Sequence, residues 1–240
     1  MNLLVNARFV KHTLAGAIAA LGLGLASNAS AVTFDLTYMG FNQNPAQSVT
    51  LALQSPSVNG TFGAGAFNFM ASASGVANQS FLAYCIELTQ SLVNFATDYT
   101  TTTTAGYGWS NARQNDIARL YNVGYQSSLT SAVASAGFQL ALWEMVYDSA
   151  SYSLAGGNFS ASSGNAAVIS QANAYLTAAV AANPANGLLT VWQSPTAQNY
   201  LQFQVSEPGS LALLAGLGLA GFAARRRTAQ APTAAAAGSA

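Results

Sequence analysis

Ser131-Ala132-Val133-Ala134-Ser135-Ala136-Gly137-Phe138-Gln139-Leu140-Ala141-Leu142-Trp143-Glu144-Met145-Val146-Tyr147 is the stretch on which the fold turns. Phe138, Leu142, Met145 and Val146 recur at helical intervals, so the spacing predicts a helix. Its core face should carry Phe138, Leu142 and Val146, leaving Glu144 and Asp148 outside. Upstream, Asn111 to Val123 repeats the pattern with Ile117, Leu120, Tyr121 and Gly124, and downstream Ala166 to Ala182 is Ala-rich and helical. The flanks have a different period. Val32 to Tyr38 alternates apolar and polar residues as a half-buried strand does, and Ser48 to Leu53, Thr61 to Ala71, Phe81 to Leu88 and Asp98 to Thr104 read as further strands. Pro45, Pro56 and the Asn59-Gly60 pair mark turns, and strands return at Gly187 to Trp192 and Tyr200 to Val205. Strands, then helices, then strands predict an α+β domain: a β-sandwich or barrel carrying a helical insertion. The Thr100 to Thr104 run, although β-branched, and the Gly156 to Gly164 stretch also read as polar, low-complexity loops.

Both ends of the chain speak of export. Arg8 and Lys11 form a cationic leader, Leu14 to Ala26 is apolar, and Ala29-Ser30-Ala31 presents small residues at the two positions a signal peptidase must fit. Residues 1–31 thus read as a removable signal peptide with cleavage before Val32. At the far end, Glu207-Pro208-Gly209 breaks the chain, Leu211 to Ala224 is uninterrupted by charge, and Arg225-Arg226-Arg227 stops it. Fourteen apolar residues fall short of the roughly twenty a spanning helix needs, although a snorkelling arginine extends the reach. Such a marginal span suits transient insertion in the inner membrane, with the arginines cytoplasmic and the domain outside. Val205-Ser206-Glu207-Pro208-Gly209-Ser210-Leu211 and the layout after it resemble the PEP-CTERM sorting signal. That resemblance implies an exosortase-type enzyme that processes the tail near Glu207 and Pro208, with Arg225, Arg226 and Arg227 as the stop. The expected organisation is a signal peptide at 1–31, a domain at 32–204, a sorting segment at 205–227 and a disordered tail at 228–240.

Between those ends the composition excludes more than it names. Asp35, Glu87, Asp98, Asp116, Glu144 and Asp148 face only Arg113 and Arg119, a net charge of minus four. Nothing basic remains to neutralise a phosphate backbone, so nucleic acid is not an expected partner. The sole histidine, His12, and the sole lysine, Lys11, leave with the signal peptide. Ser-His-Asp and Cys-His chemistry have no usual base, a zinc site lacks its ligands, and no phosphate-binding loop occurs. No cofactor is implied, and the chain is not expected to be an enzyme. Carboxylate chemistry needs only two acids, and Glu144 and Asp148 would share a helical face, but no other sugar-cleaving feature accompanies them.

Cys85 is the sole cysteine, so no intramolecular disulfide can form. A lone thiol in an exported protein is an inert buried group, half of an intermolecular bridge, or a reactive centre. Tyr84-Cys85-Ile86-Glu87, followed by Gly137-Phe138-Gln139-Leu140-Ala141-Leu142-Trp143-Glu144, resembles the thioester domains of bacterial surface adhesins. In that family an aromatic-Cys-aliphatic strand is paired with an apolar-Gln-x-x-apolar helix, often ending in Trp. Ile117 to Tyr125 is similar to the helix before the Gln segment, and Phe138 stands where the family often has threonine. The resemblance implies a covalent bond between the Cys85 sulfur and the Gln139 side-chain carbonyl, opened by an amine- or hydroxyl-bearing surface target. Tyr84 and Glu87 are the candidates for helping ammonia leave, and Trp143, one helical turn from Gln139, for covering the bond against water. The implied function is an adhesin at the cell surface or in the extracellular matrix. The alternative is a non-reactive structural protein of the matrix, with Cys85 a core thiol and Gln139 a buried amide.

Overall fold

The computed structural model describes residues 32–149, 151–184 and 187–205. The expected signal peptide at 1–31, the apolar segment with its arginines and the tail at 228–240 lie outside the described residues. Within them, six antiparallel strands close a barrel. These are β1 (Phe34–Phe41), β4 (Phe67–Ala73), β5 (Val76–Cys85), β9 (Tyr200–Val205), β8 (Gly187–Gln193) and β6 (Phe95–Thr103), in that spatial order. β2 (Gln47–Leu53) and β3 (Val58–Ala64) form a hairpin that β7 (Phe159–Ser162) extends to a second, three-stranded sheet. Three helices enter between β6 and β8: α1 (Asn111–Ser128), α2 (Ala132–Tyr147) and α3 (Ala166–Ala181). The α+β class holds, and the barrel is the form it takes. No helix among the described residues is long and apolar enough to cross a membrane.

Each helix begins where a short polar side chain captures an otherwise unpaired N–H. Ser110 accepts from the amide of Arg113, Ser131 from that of Ala134, and Asn165 from that of Ala167. Glycines let the helices close on one another. A Cβ at Gly137 would meet the Gln171 side chain of α3 at 2.9 Å, and one at Gly124 would meet the rings of Phe138 and Tyr175 at the same distance. The run Thr100 to Thr103 is not a loop but the end of β6, because β-branched threonines suit a strand, and it pairs with Gln193 to Thr190 of β8.

Several expectations need correction. Thr61 to Ala71 is two strands, because Gly65 adopts φ +146° and breaks β3 from β4. Asn59-Gly60 is not the turn but part of β3, with Gly60 opposite Leu51. The turn lies just before it, at residues 54–57, and contains Pro56 as expected. The strand through Cys85 starts earlier, at Val76, and ends at Cys85 rather than Leu88. The supposed loop 156–164 contains β7, anchored by the fully buried Phe159. α2 differs most from its expected phase. It is buried on every side from Ala134 to Val146, Glu144 included, because it touches α1 and α3 as well as β2, β3, β5 and β7. Asp148 is not a free surface acid either. It caps α2, and its carboxylate accepts from the amides of Asn158 and Phe159, both at 2.8 Å.

Candidate functional site

Cys85 is the last residue of β5, opposite Tyr200 of β9. On the other flank of β5 the ladder with β4 ends at Phe67 opposite Ala83. Beyond that point no β4 residue pairs with Cys85, and the side chain of Gln139 takes the strand's place. Its Oε1 accepts from the Cys85 N–H at 3.0 Å, and its Nε2 donates to the Cys85 carbonyl at 2.8 Å. The amide therefore pairs with the end of β5 as the peptide group of a neighbouring strand would. Both residues are buried, Gln139 completely.

The phase of α2 aims that amide. Phe138 fills an aromatic nest, 4.6 Å from Tyr84, 5.0 Å from Tyr121 and 5.7 Å from Tyr175 between ring centroids. A large ring held by α1, α3 and β5 fixes the rotation of α2, and Gln139, one position on, is then turned to the strand end. Ser135, one turn earlier, accepts from the Ala66 N–H at 2.8 Å and ties α2 to the start of β4.

The thiol donates to the Glu87 carbonyl at 2.9 Å. Burial pushes Cys85 up to about 12, with the Glu87 backbone and the Trp143 side chain pulling the other way. At neutral pH the sulfur thus keeps its proton. A hydrogen bond from the Cys85 N–H to Gln139 Oε1 withdraws electrons from the amide carbonyl, and it sits where negative charge would gather if sulfur attacked that carbon.

Trp143 lies beside this pair and is almost wholly buried. With Cys85 it lines a cavity of about 340 Å³ whose other walls include Phe41, Phe62, Phe67, Leu88 and Gln90. Among the described residues, two buried side-chain atoms on this wall have no hydrogen-bond partner, the donor Nε1 of Trp143 and the acceptor Oε1 of Gln90. The Gln90 amide cannot simply be turned round, because its Nε2 donates to the Pro195 carbonyl at 3.1 Å.

Two expected helpers are not at the pair. Strand alternation sends Tyr84 to the helices, where its hydroxyl donates to Ser128 Oγ at 2.7 Å and burial raises its pKa. Glu87 does not share a strand face with Cys85, because the strand has already ended. Its carboxylate is taken up by the amides of Thr89 and Gln90 and by the Thr89 hydroxyl, forming a tight turn. It is the backbone of Glu87, not its acid, that meets the sulfur. Glu144 and Asp148, the carboxylate pair of the sugar-cleaving reading, both bind backbone amides of the segment after α2.

Sequence reasoning missed the groups that hold the loop after Cys85. Tyr147 Oη accepts from the Leu88 N–H at 2.9 Å, Gln198 Nε2 donates to the Glu87 carbonyl at 2.9 Å, and the Tyr99 hydroxyl donates to the Gln198 carbonyl at 2.6 Å. Tyr147 follows Gln139 by eight residues, so helical periodicity does place it on the same face. Nothing local in the sequence points to Gln198, Tyr99 or Gln90.

Comparison with known families agrees with this geometry. Residues 82–182 match the thioester domain family, a segment that begins at the end of β5 and runs to the end of α3. Residues 204–227 match the PEP-CTERM protein-sorting motif. No curated protein and no solved structure matches the chain significantly. The chain carries a thioester domain whose Cys and Gln motifs meet at the end of β5, followed by a PEP-CTERM sorting motif that marks it for export and membrane-associated sorting by exosortase-type machinery.

Proposed function

We propose that this exported protein is a surface or extracellular-matrix adhesin that stores a thioester between Cys85 Sγ and Gln139 Cδ and spends it on a target nucleophile. The observation that carries the reading is the clamp of the Gln139 amide on the Cys85 backbone. It holds thiol and carbonyl in one buried place, so that a poor electrophile meets its nucleophile at high effective concentration. In the forming step Sγ attacks Cδ, the oxygen gathers charge against the Cys85 N–H, the thiol proton passes to Nε2, and the C–N bond breaks to release ammonia. Because the sulfur brings its own proton, no histidine is required. In the opening step a target amine attacks Cδ, the C–S bond breaks, and sulfur regains a proton, leaving the target amide-linked to residue 139. The domain is consumed once and is a cross-linker rather than a turnover catalyst.

An amine suits the site better than a hydroxyl, because among the described residues no carboxylate or imidazole lines the cavity at Cys85 to deprotonate an alcohol. Gln90 Oε1 is an acceptor for the N–H of the incoming group. The domain contains no lysine that could open its own bond. The second reading, a non-reactive structural matrix protein, draws on the same clamp, since a fully hydrogen-bonded amide and thiol also make a satisfied core. Intact mass separates the two. Fresh protein never exposed to amines should weigh one ammonia less than its sequence, take up methylamine, and show a free thiol only afterwards. A full sequence mass with a free thiol after unfolding leaves the structural reading in place. Mature protein from its host should begin at Val32 and, once shed, should lack Arg225 to Ala240; N-terminal sequencing and peptide mapping check both.

A further inference from the structure

We infer that the indole N–H of Trp143 is the donor that stabilises the Cys85 sulfur as a thiolate when an incoming amine displaces it from the Gln139 carbonyl. This rests on the thioester reading and goes beyond a role in covering the bond. The buried N–H of Trp143 has no partner among the described residues. A buried donor without an acceptor is costly, and a tryptophan kept for shape alone would be expected to find one. Its neighbour in the cavity is Cys85, whose thiol sends its own hydrogen to the Glu87 carbonyl. A neutral thiol or thioester sulfur is a weak acceptor, whereas a thiolate accepts a strong charge-assisted bond. The donor thus makes no full hydrogen bond in the resting protein and gains a strong one while sulfur carries charge, the pattern by which a fixed dipole speeds a reaction. The proximity already favours the charged form of Cys85 in the resting protein.

The step balances. The amine nitrogen gives its electron pair to Gln139 Cδ, and the C–S bond breaks with its pair going to sulfur. The N–H of Trp143 holds that charge until a proton from the new ammonium neutralises it, giving a thiol and a secondary amide.

The test uses full-length mature protein and compares it with Trp143→Phe, which keeps an apolar aromatic plate and loses the N–H. Wild type must first show the loss of ammonia and take up methylamine; if it does not, the thioester reading itself fails. Given that, the Phe variant should take up methylamine roughly ten- to a hundredfold more slowly, at most the lower end of what removal of one oxyanion donor costs, because sulfur is a weaker acceptor than oxygen. Its hydrolysis by water should not be faster. Uptake at the wild-type rate, or hydrolysis that accelerates, would show that Trp143 acts only as a cover and would overturn the inference. If the Phe variant fails to fold or to form the bond, benzothienylalanine placed at position 143 has the indole shape without the N–H. Wild-type uptake by that protein overturns the inference, and the same slowing upholds it.

Discussion

Gln139 and Glu144 are two polar side chains buried completely on one helix, five residues apart, and α2 treats them differently. Gln139 is neutral and both ends of its amide are used, one by the N–H and one by the carbonyl of Cys85. Glu144 accepts from the Ser153 N–H at 2.7 Å through Oε1, while its Oε2 has no partner. Burial raises Glu144 to about 7, opposed by the Ser153 amide and reinforced by Asp148. A fully paired neutral group costs the core little, whereas a half-paired acid leaves stability dependent on pH. The middle of the helix is therefore built around the Cys85–Gln139 pair, and its C-terminal end pins a loop.

The sharpest way to break this comparison is to remove Gln139. Gln139→Ala should abolish thioester formation completely, read by intact mass. Relative to the unreacted domain it should also cost about 2–5 kcal/mol, because two buried backbone groups of Cys85 lose their partner. Cys85→Ala should abolish the bond equally but cost only about 1 kcal/mol, because the clamp uses the backbone and survives. Chemical denaturation of the two variants distinguishes a clamp on the main chain from a contact with the sulfur. Equal stability losses would show that the amide pairing contributes nothing.

Leu142→Ala removes a wholly buried side chain from the same helix and should cost about 2–5 kcal/mol without touching the chemistry directly. Asp148→Ala takes two backbone hydrogen bonds from the start of β7 and should cost about 1–3 kcal/mol. Thermal unfolding should rank Leu142 above Asp148; the reverse order would mean that the cap, not the core face, holds α2.

The smallest effect is the pH dependence of Glu144. Its pKa rises on folding from 4.5 to about 7. The folded protein thus holds this proton more tightly than the unfolded chain, and the resulting stability is fully present below pH 4.5. It is lost as pH rises through about 7. Melting temperature should fall by about 2–6 °C across that window relative to Glu144→Gln, in which the slope should vanish. A variant with an unchanged slope would assign the dependence to another group.

What the sequence by itself determined follows from local rules. Strand alternation and helical spacing are properties of neighbouring residues, so the three helices and most of the strands were legible. So were Cys85 and Gln139 as a pair, because a sole cysteine and a glutamine stood in two recognisable motifs. The face of α2 was not legible, since a helix apolar all round has no preferred side until neighbours surround it. Helical spacing alone puts Glu144 outside, yet it is buried and the amide of Ser153 reaches it through a folded loop. β7 was hidden in a Gly- and Ser-rich stretch because its pairing with β2 spans more than a hundred residues. Only the tertiary structure decided that the pairing with β4 ends two residues short of Cys85, leaving two backbone groups for an amide to fill. It alone set an unpaired indole N–H beside the sulfur, because contacts between distant segments depend on how the whole chain closes and not on the period of any one stretch.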